Sequence, residues 1–202
     1  EVARGARDRV REGEAVVEIS YSQFLTFRNE GIEECRRFAQ EALAIGRETG
    51  DQHLLARSLS YLGLASQAEG NPAEGDRLFE ESLGIARANG YGDTVATNLT
   101  WLGAHANWRG EFARAIETSR QAVVAAREVS DGLSDMISGA FICLIQIGLG
   151  QYVEALATID DGLAKGRDRN NSFIVGRLTN SLGWFYQELG DFRRATEYNR
   201  EA

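Results

Sequence analysis

The chain has 202 residues, with 22 Lys and Arg against 30 Asp and Glu, a formal charge of −8 and a calculated pI near 4.9. A hydrophobic share of 43% and a charged share of 26% are those of a globular protein and exclude wholesale disorder; the acidic field argues against nucleic acid and anionic membranes as partners. The chain has 1 proline where average usage gives about ten, which favours long, unbroken helices.

Cys35 and Cys143 are isolated thiols without a CxxC or a paired histidine, so neither a disulfide framework nor a metal site is expected. The longest apolar run, from Ala140 to Ile145, stops at Gln146, far short of the roughly 20 residues that cross a bilayer. The start, Glu1-Val-Ala-Arg-Gly-Ala-Arg-Asp, lacks the apolar core of a signal peptide, and a cytoplasmic location is expected. Absence of an initial Met points to a segment of a larger protein. Lys165 is the only lysine among the basic residues, a bias that points to a GC-rich bacterial genome.

Self-similarity at a spacing of 40 residues organises the rest of the chain. Arginine recurs at Arg7, Arg47, Arg87, Arg127 and Arg167, and glycine at Gly70, Gly110, Gly150 and Gly190. An aliphatic–small pair recurs at Leu62-Gly63, Leu102-Gly103, Ile142-Cys143 and Leu182-Gly183. A second small column holds Gly75, Ala115, Ala155 and Ala195, and a large aliphatic recurs at Leu43, Leu83, Val123 and Leu163. Residues 1–202 therefore read as a single array. Residues 1–10 end a preceding repeat, 11–50, 51–90, 91–130 and 131–170 are whole repeats, and 171–202 is a truncated one.

Each repeat reads as two antiparallel helices of about 18 residues joined by short turns. Leu55, Leu59, Leu62 and Ala65 fall at helical spacing over 52–69, before the stop at Gly70. Asn71-Pro72 supplies an N-cap and a first-turn proline for a helix that runs to about Asn89 and stops at Gly90. Asp51, Asp131 and Asp191 stand where caps are needed. Roughly ten helices and no strand are expected, with Leu62, Leu102, Ile142 and Leu182 buried. The mid-helix glycines, each costing about 1 kcal/mol, are explained if a second helix crosses closely there.

This pattern resembles the tetratricopeptide repeat. Leu182-Gly183-Trp184-Phe185-Tyr186 matches its L-G-x2-Y, and Gly75-x3-Phe79 matches the A-x3-F half. The 40-residue unit is similar to the arrays of kinesin light chains, spindle-orientation adaptors and bacterial regulators that carry an ATPase module; the standard unit is 34 residues. The resemblance implies an all-α, right-handed solenoid of helix pairs, with the first helix of each pair lining a concave face.

In that frame the wall positions carry Phe24, Tyr61, Trp101, Asn107, Trp108, Asn180, Trp184 and Gln187, with Phe27 beside them, and these first eight are the candidate partner-binding residues. The lysines of a carboxylate clamp are absent from the wall. An aromatic column, Tyr21, Tyr61, Trp101 and Phe141, occupies the slot where kinesin-light-chain arrays hold a peptide with asparagine. That column either packs between first helices or faces a ligand.

No catalytic constellation is present, and no enzyme activity or cofactor is expected. His53 and His105 lack ligand spacing, Glu33-Glu34 would raise the Cys35 thiol, and the pairs Glu80-Glu81 and Asp160-Asp161 point about 100° apart on a helix. The expected function is an interaction scaffold that holds a peptide or protein partner. The alternative is a ligand- or partner-sensing arm of a bacterial signalling or transcription regulator.

Overall fold

The computed structural model describes residues 2–26 and 28–202, without the side chains of residues 2–4, 6 and 7; Phe27 and the Arg7 side chain lie outside it. The chain folds as two compact units, residues 1–98 and 99–202. In the first, α1 (Val2–Phe24), α2 (Asn29–Thr49), α3 (Gln52–Ala68) and α4 (Pro72–Asn89) pack each against the next, and α1 also touches α3. Following α5 (Gly92–Trp108), the second unit contains α6 (Phe112–Glu128), α7 (Gly132–Gly148), α8 (Tyr152–Asp168), α9 (Ser172–Glu188) and α10 (Phe192–Glu201). There α6 through α10 pack in succession, and α7 also touches α9. All regular structure among the described residues is helical, and the fold is a tetratricopeptide-type repeat of antiparallel helix pairs.

The turns show why the period is strict. Second helices end on left-handed residues at Gly50, Gly90, Ser130 and Asn170, with φ of 73°, 73°, 59° and 52°. Asparagine tolerates that conformation, serine adopts it less often, and a β-branched residue pays heavily for it. The corresponding position one repeat earlier is Val10, and there the chain does not turn: α1 is one helix from Val2 to Phe24, so the expected helix end near residue 10 is absent. Asp51, Asp131 and Asp191 cap as expected, their carboxylates accepting from the backbone N–H groups of Leu54, of Leu133 and Ser134, and of Arg194. Asn71 makes no such bond; Pro72 at the first helical position starts α4 without it.

The small columns lie at the helix crossings. A Cβ on Gly63 would sit 3.1 Å from the Phe79 ring and 3.2 Å from the Gly75 carbonyl oxygen, and one on Gly103 3.2 Å from the Ser119 backbone nitrogen. Ala115 and Ala155, at the position of Gly75 in later repeats, are fully buried. Cys35, one repeat before Gly75, belongs to the same column, and Cys143 fills the other. Of the four aliphatics expected in the core, Leu62, Leu102 and Leu182 are buried, whereas Ile142 is only partly so. Its exposure follows from Gly139, which stands where Leu99 and Leu59 fill the core one and two repeats earlier. The lost side chain leaves a cavity of about 330 Å³ lined by Val123, Met136, Ile142 and the charged Arg127, Asp135 and Lys165. Of the arginine column, Arg127 bonds Asp135 of the next repeat at 3.2 Å.

Two glycines of neighbouring repeats, at different positions of the 40-residue unit, should therefore respond oppositely. Nothing lies within 4 Å of a Cβ on Gly139, so Gly139→Ala should raise stability by about 0.5–1 kcal/mol through helix propensity. Gly103→Leu should lower it by about 1–3 kcal/mol through overpacking. Urea unfolding of both variants checks this; a shift of the same sign in both contradicts the packing described.

Candidate functional site

The aromatic column resolves into packing in the first unit. Tyr21 and Tyr61 stack with ring centroids 4.9 Å apart and planes 7° from parallel, tying α1 to α3. Tyr61 and Phe24 are each 5% exposed, so neither can serve as the partner-facing surface expected of it. Over this stack lies Arg57, whose guanidinium meets Glu18 at 2.5 Å and the Tyr61 hydroxyl at 3.5 Å.

In the second unit the column sinks and a neighbour surfaces. Trp101 is 2% exposed, buried edge-on against Phe141 at 6.3 Å, which removes it too from the partner-facing set. Trp108, two turns on along α5, is 60% exposed while its ring still rests at right angles on Phe141, 5.8 Å away. The Arg177 guanidinium covers the same Phe141 at 5.7 Å and Phe173 at 5.9 Å. One continuous patch thus runs from α5 across α7 to α9, with a buried ring at its centre and an exposed indole and a guanidinium at its margins.

The remaining expected residues lie on α9 and α5. Asn180 is exposed and donates from Nδ2 to Asn199 Oδ1 at 3.2 Å. The Trp184 indole, partly exposed, donates to Glu188 at 2.9 Å and lies beside Gly148 of α7. Gln187 is exposed and Asn107 partly so, at the ends of α9 and α5. A cavity of about 530 Å³ opens among Leu144, Phe173, Arg177, Asn180, Ser181, Asn199 and the last residue of the sequence, Ala202. The sequence reading missed Arg177 and Phe173, because both precede the wall positions counted from the Leu-Gly pair. A signal was available, since Arg57 and Arg177 stand three repeats apart in the same column.

The titratable groups elsewhere are accounted for by packing and pairing. Burial pushes the Cys35 thiol up to about 11, with Glu69 a lesser contributor, so the adjacent Glu33 and Glu34 are not the cause. Burial likewise raises Cys143 to about 12. His53, at the start of α3, holds the Asp93 carboxylate at 3.0 Å; that hydrogen bond, with the Thr94 backbone, takes Asp93 down to about 2. Glu81 bonds Arg77 and Asp161 bonds Lys165 at one-turn spacing, so one carboxylate of each adjacent pair serves an ion pair. Among the described residues no group of three or more His, Cys, Asp or Glu is placed to hold a metal, and no helix is long and apolar enough to cross a membrane.

No family model matches the sequence, and no curated protein matches it. Solved structures do. The aspartyl phosphate phosphatase F of Bacillus subtilis aligns over 96% of this chain with a TM-score of 0.71 at 14% identity, and the chain spans 59% of that protein's length. BtubC of P. vanneervenii aligns over 97% of this chain and 89% of its own, with a TM-score of 0.67 and 17% identity. A putative kinesin light chain of Podosopora anserina with nearly identical TPR-like repeats aligns over 96% and 93%, with a TM-score of 0.64 and 18% identity. At these identities the likeness is one of fold, and the fold is of the tetratricopeptide type.

Beneath the patch, His105 stands in a column that holds Ala65, Ile145 and Phe185 in other repeats, and it is 2% exposed between Trp101 and Trp108. Burial, helped by Arg109, lowers its pKa to about 3. Between that value and the unfolded value near 6.5 the unfolded chain binds a proton that the folded one refuses, so stability falls as pH drops through this window and is complete above it. Denaturant unfolding from pH 7 to pH 5 should show a loss approaching about 1 kcal/mol per pH unit that His105→Leu flattens. An equal pH dependence in that variant would place the titration elsewhere.

Proposed function

We propose that the protein is an interaction scaffold that holds a peptide or protein partner on its first helices, in the concave groove that the tetratricopeptide resemblance implies. The observation that carries this reading is Trp108: a 60% exposed indole seated on buried Phe141. Exposed aromatic surface held rigid from below binds at little entropic cost, and side-chain amides such as Asn107, Asn180 and Gln187 offer paired donors and acceptors to an extended backbone. Trp184 extends the same surface along α9. The three core aromatics, Phe24, Tyr61 and Trp101, position helices and take no direct part.

Affinity capture with the intact protein tests the reading, wild type against Trp108→Ala and Trp184→Ala. Each substitution should weaken the captured partner by about 1 kcal/mol or more, roughly fivefold, with helicity unchanged by circular dichroism. A partner held equally well by both variants would move the site off this face.

A further inference from the structure

One repeat breaks four of its columns at once, and the four changes line one space. Gly139 stands where other repeats carry Leu59, Leu99 and Thr179. Asp135 stands where they carry Leu55, Val95 and Val175, and Lys165, the only lysine of the chain, where they carry Ile45, Ile85 and Ala125. Ala157 replaces the longer Arg37, Arg77 and Glu117. All four line the cavity of about 330 Å³ between α6, α7 and α8. Packing does not account for the combination. Nothing lies within 4 Å of a Cβ on Gly139, so the close crossing that requires glycine at Gly63 and Gly103 does not require it there, and the helix is weakened for no gain. Asp135, 8% exposed, is held between Arg127 at 3.2 Å and Lys165 at 3.4 Å. An ion pair set where other repeats keep aliphatics gives the fold little over the apolar pair. Changes that each give up packing, gathered around one opening, mark a functional site in a chain otherwise consistent with its fold.

The lining defines the chemistry of an occupant. Val123, Met136, Ile142 and Ala157 are apolar, and the volume over Gly139 is the one that leucine side chains fill in two earlier repeats. The charged residues Arg127, Lys165, Asp135 and Asp161 are two cations and two carboxylates, which sum to zero. Arg127 commits Nε to Asp135 and keeps its two terminal nitrogens; Asp161 meets Lys165 through Oδ2 and keeps its other oxygen. The cations can therefore take a carboxylate while Asp161 takes an ammonium group. The volume lies at the small end of ligand pockets, which run from about 300 to 1,000 Å³.

We propose that this cavity binds a free α-amino acid with a branched aliphatic side chain, of which leucine is the type. The side chain takes the space over Gly139, the carboxylate meets Arg127 and Lys165, and the ammonium group meets Asp161. Leu59 and Leu99 are the precedent within the chain: a leucine side chain is what this position holds where the fold supplies one. A zwitterion answers both signs of charge around the opening, whereas an anion or a cation alone leaves one sign unanswered. The apolar lining shields the charge pairs from water and strengthens them. This site shares no residue with the Trp108 face and goes beyond the scaffold reading, adding a small-molecule input to the second unit.

The cavity contains its own reporter, because Met136 is the only methionine of the chain. The test is an NMR titration of the whole chain labelled at that methyl group, with L-leucine, glycine, 4-methylpentanoate, 3-methylbutylamine and acetyl-leucine amide as probes. Leucine should shift the Met136 signal saturably with a Kd below about 1 mM, and each other probe should bind at least about tenfold more weakly. Two substitutions copy the preceding repeat. Gly139→Leu should abolish leucine binding and raise Tm, and Lys165→Ala should weaken leucine about tenfold with helicity unchanged. No saturable shift up to about 10 mM overturns the proposal. Binding of 4-methylpentanoate or 3-methylbutylamine as tight as that of leucine overturns the zwitterion, and acetyl-leucine amide binding as tightly overturns the free amino acid in favour of a partner's leucine side chain. A lowered Tm in Gly139→Leu, or leucine affinity unchanged in either variant, removes the ligand from this cavity.

Discussion

Two helices can turn back on each other in this fold only where their backbones cross with almost no side chain between them. Gly63 faces the Gly75 carbonyl and Phe79, Gly103 faces the Ser119 backbone, and Ala115 and Ala155 lie fully buried at the same level of later repeats. Mid-helix glycine is unfavourable by about 1 kcal/mol, and the crossing returns that cost as dispersion contacts along the adjoining helix faces. Once the crossing is set, the turn that follows is set as well, and glycine or another residue able to adopt positive φ must recur at 50, 90, 130 and 170.

That constraint is why so much of the fold was readable from the chain. Columns of small residues, turn glycines and capping aspartates are local demands that each repeat meets with the same residue at the same place. The departures are equally physical. Val10 cannot adopt the left-handed turn, so α1 runs on through the place where a helix end was expected. Asn71 is dispensable as a cap because Pro72 already begins the helix. Ile142 is only partly buried because its neighbour three residues back is Gly139, a change that a count of the Leu-Gly column does not see.

The candidate site was less readable, because exposure is decided by neighbours and not by column. Trp101 and Trp108 are seven residues apart on one helix and rest on the same Phe141, yet one is 2% and the other 60% exposed. Tyr61, placed on the wall by its column, is covered by Tyr21. Arg177 precedes the wall positions counted from the Leu-Gly pair; what marks it is the pair of rings, Phe141 and Phe173, that it covers. A repeat protein contains its own controls. Where the columns agree the residues serve packing; where one repeat breaks its column, Gly139 leaves a cavity and His105 puts a titratable ring in the core.

The account depends most on the close crossing, and two alanines of α6 test it. Ala115 is fully buried in a cluster with Ala106 and Ile145, and Ala113, two residues earlier on the same helix, is exposed. Urea unfolding of Ala115→Leu should show a loss of about 1–3 kcal/mol, while Ala113→Leu should stay within about 0.5 kcal/mol of the parent. If Ala115→Leu is as stable as Ala113→Leu, the helices do not need the small column to cross, and the 40-residue period must be explained by something other than packing.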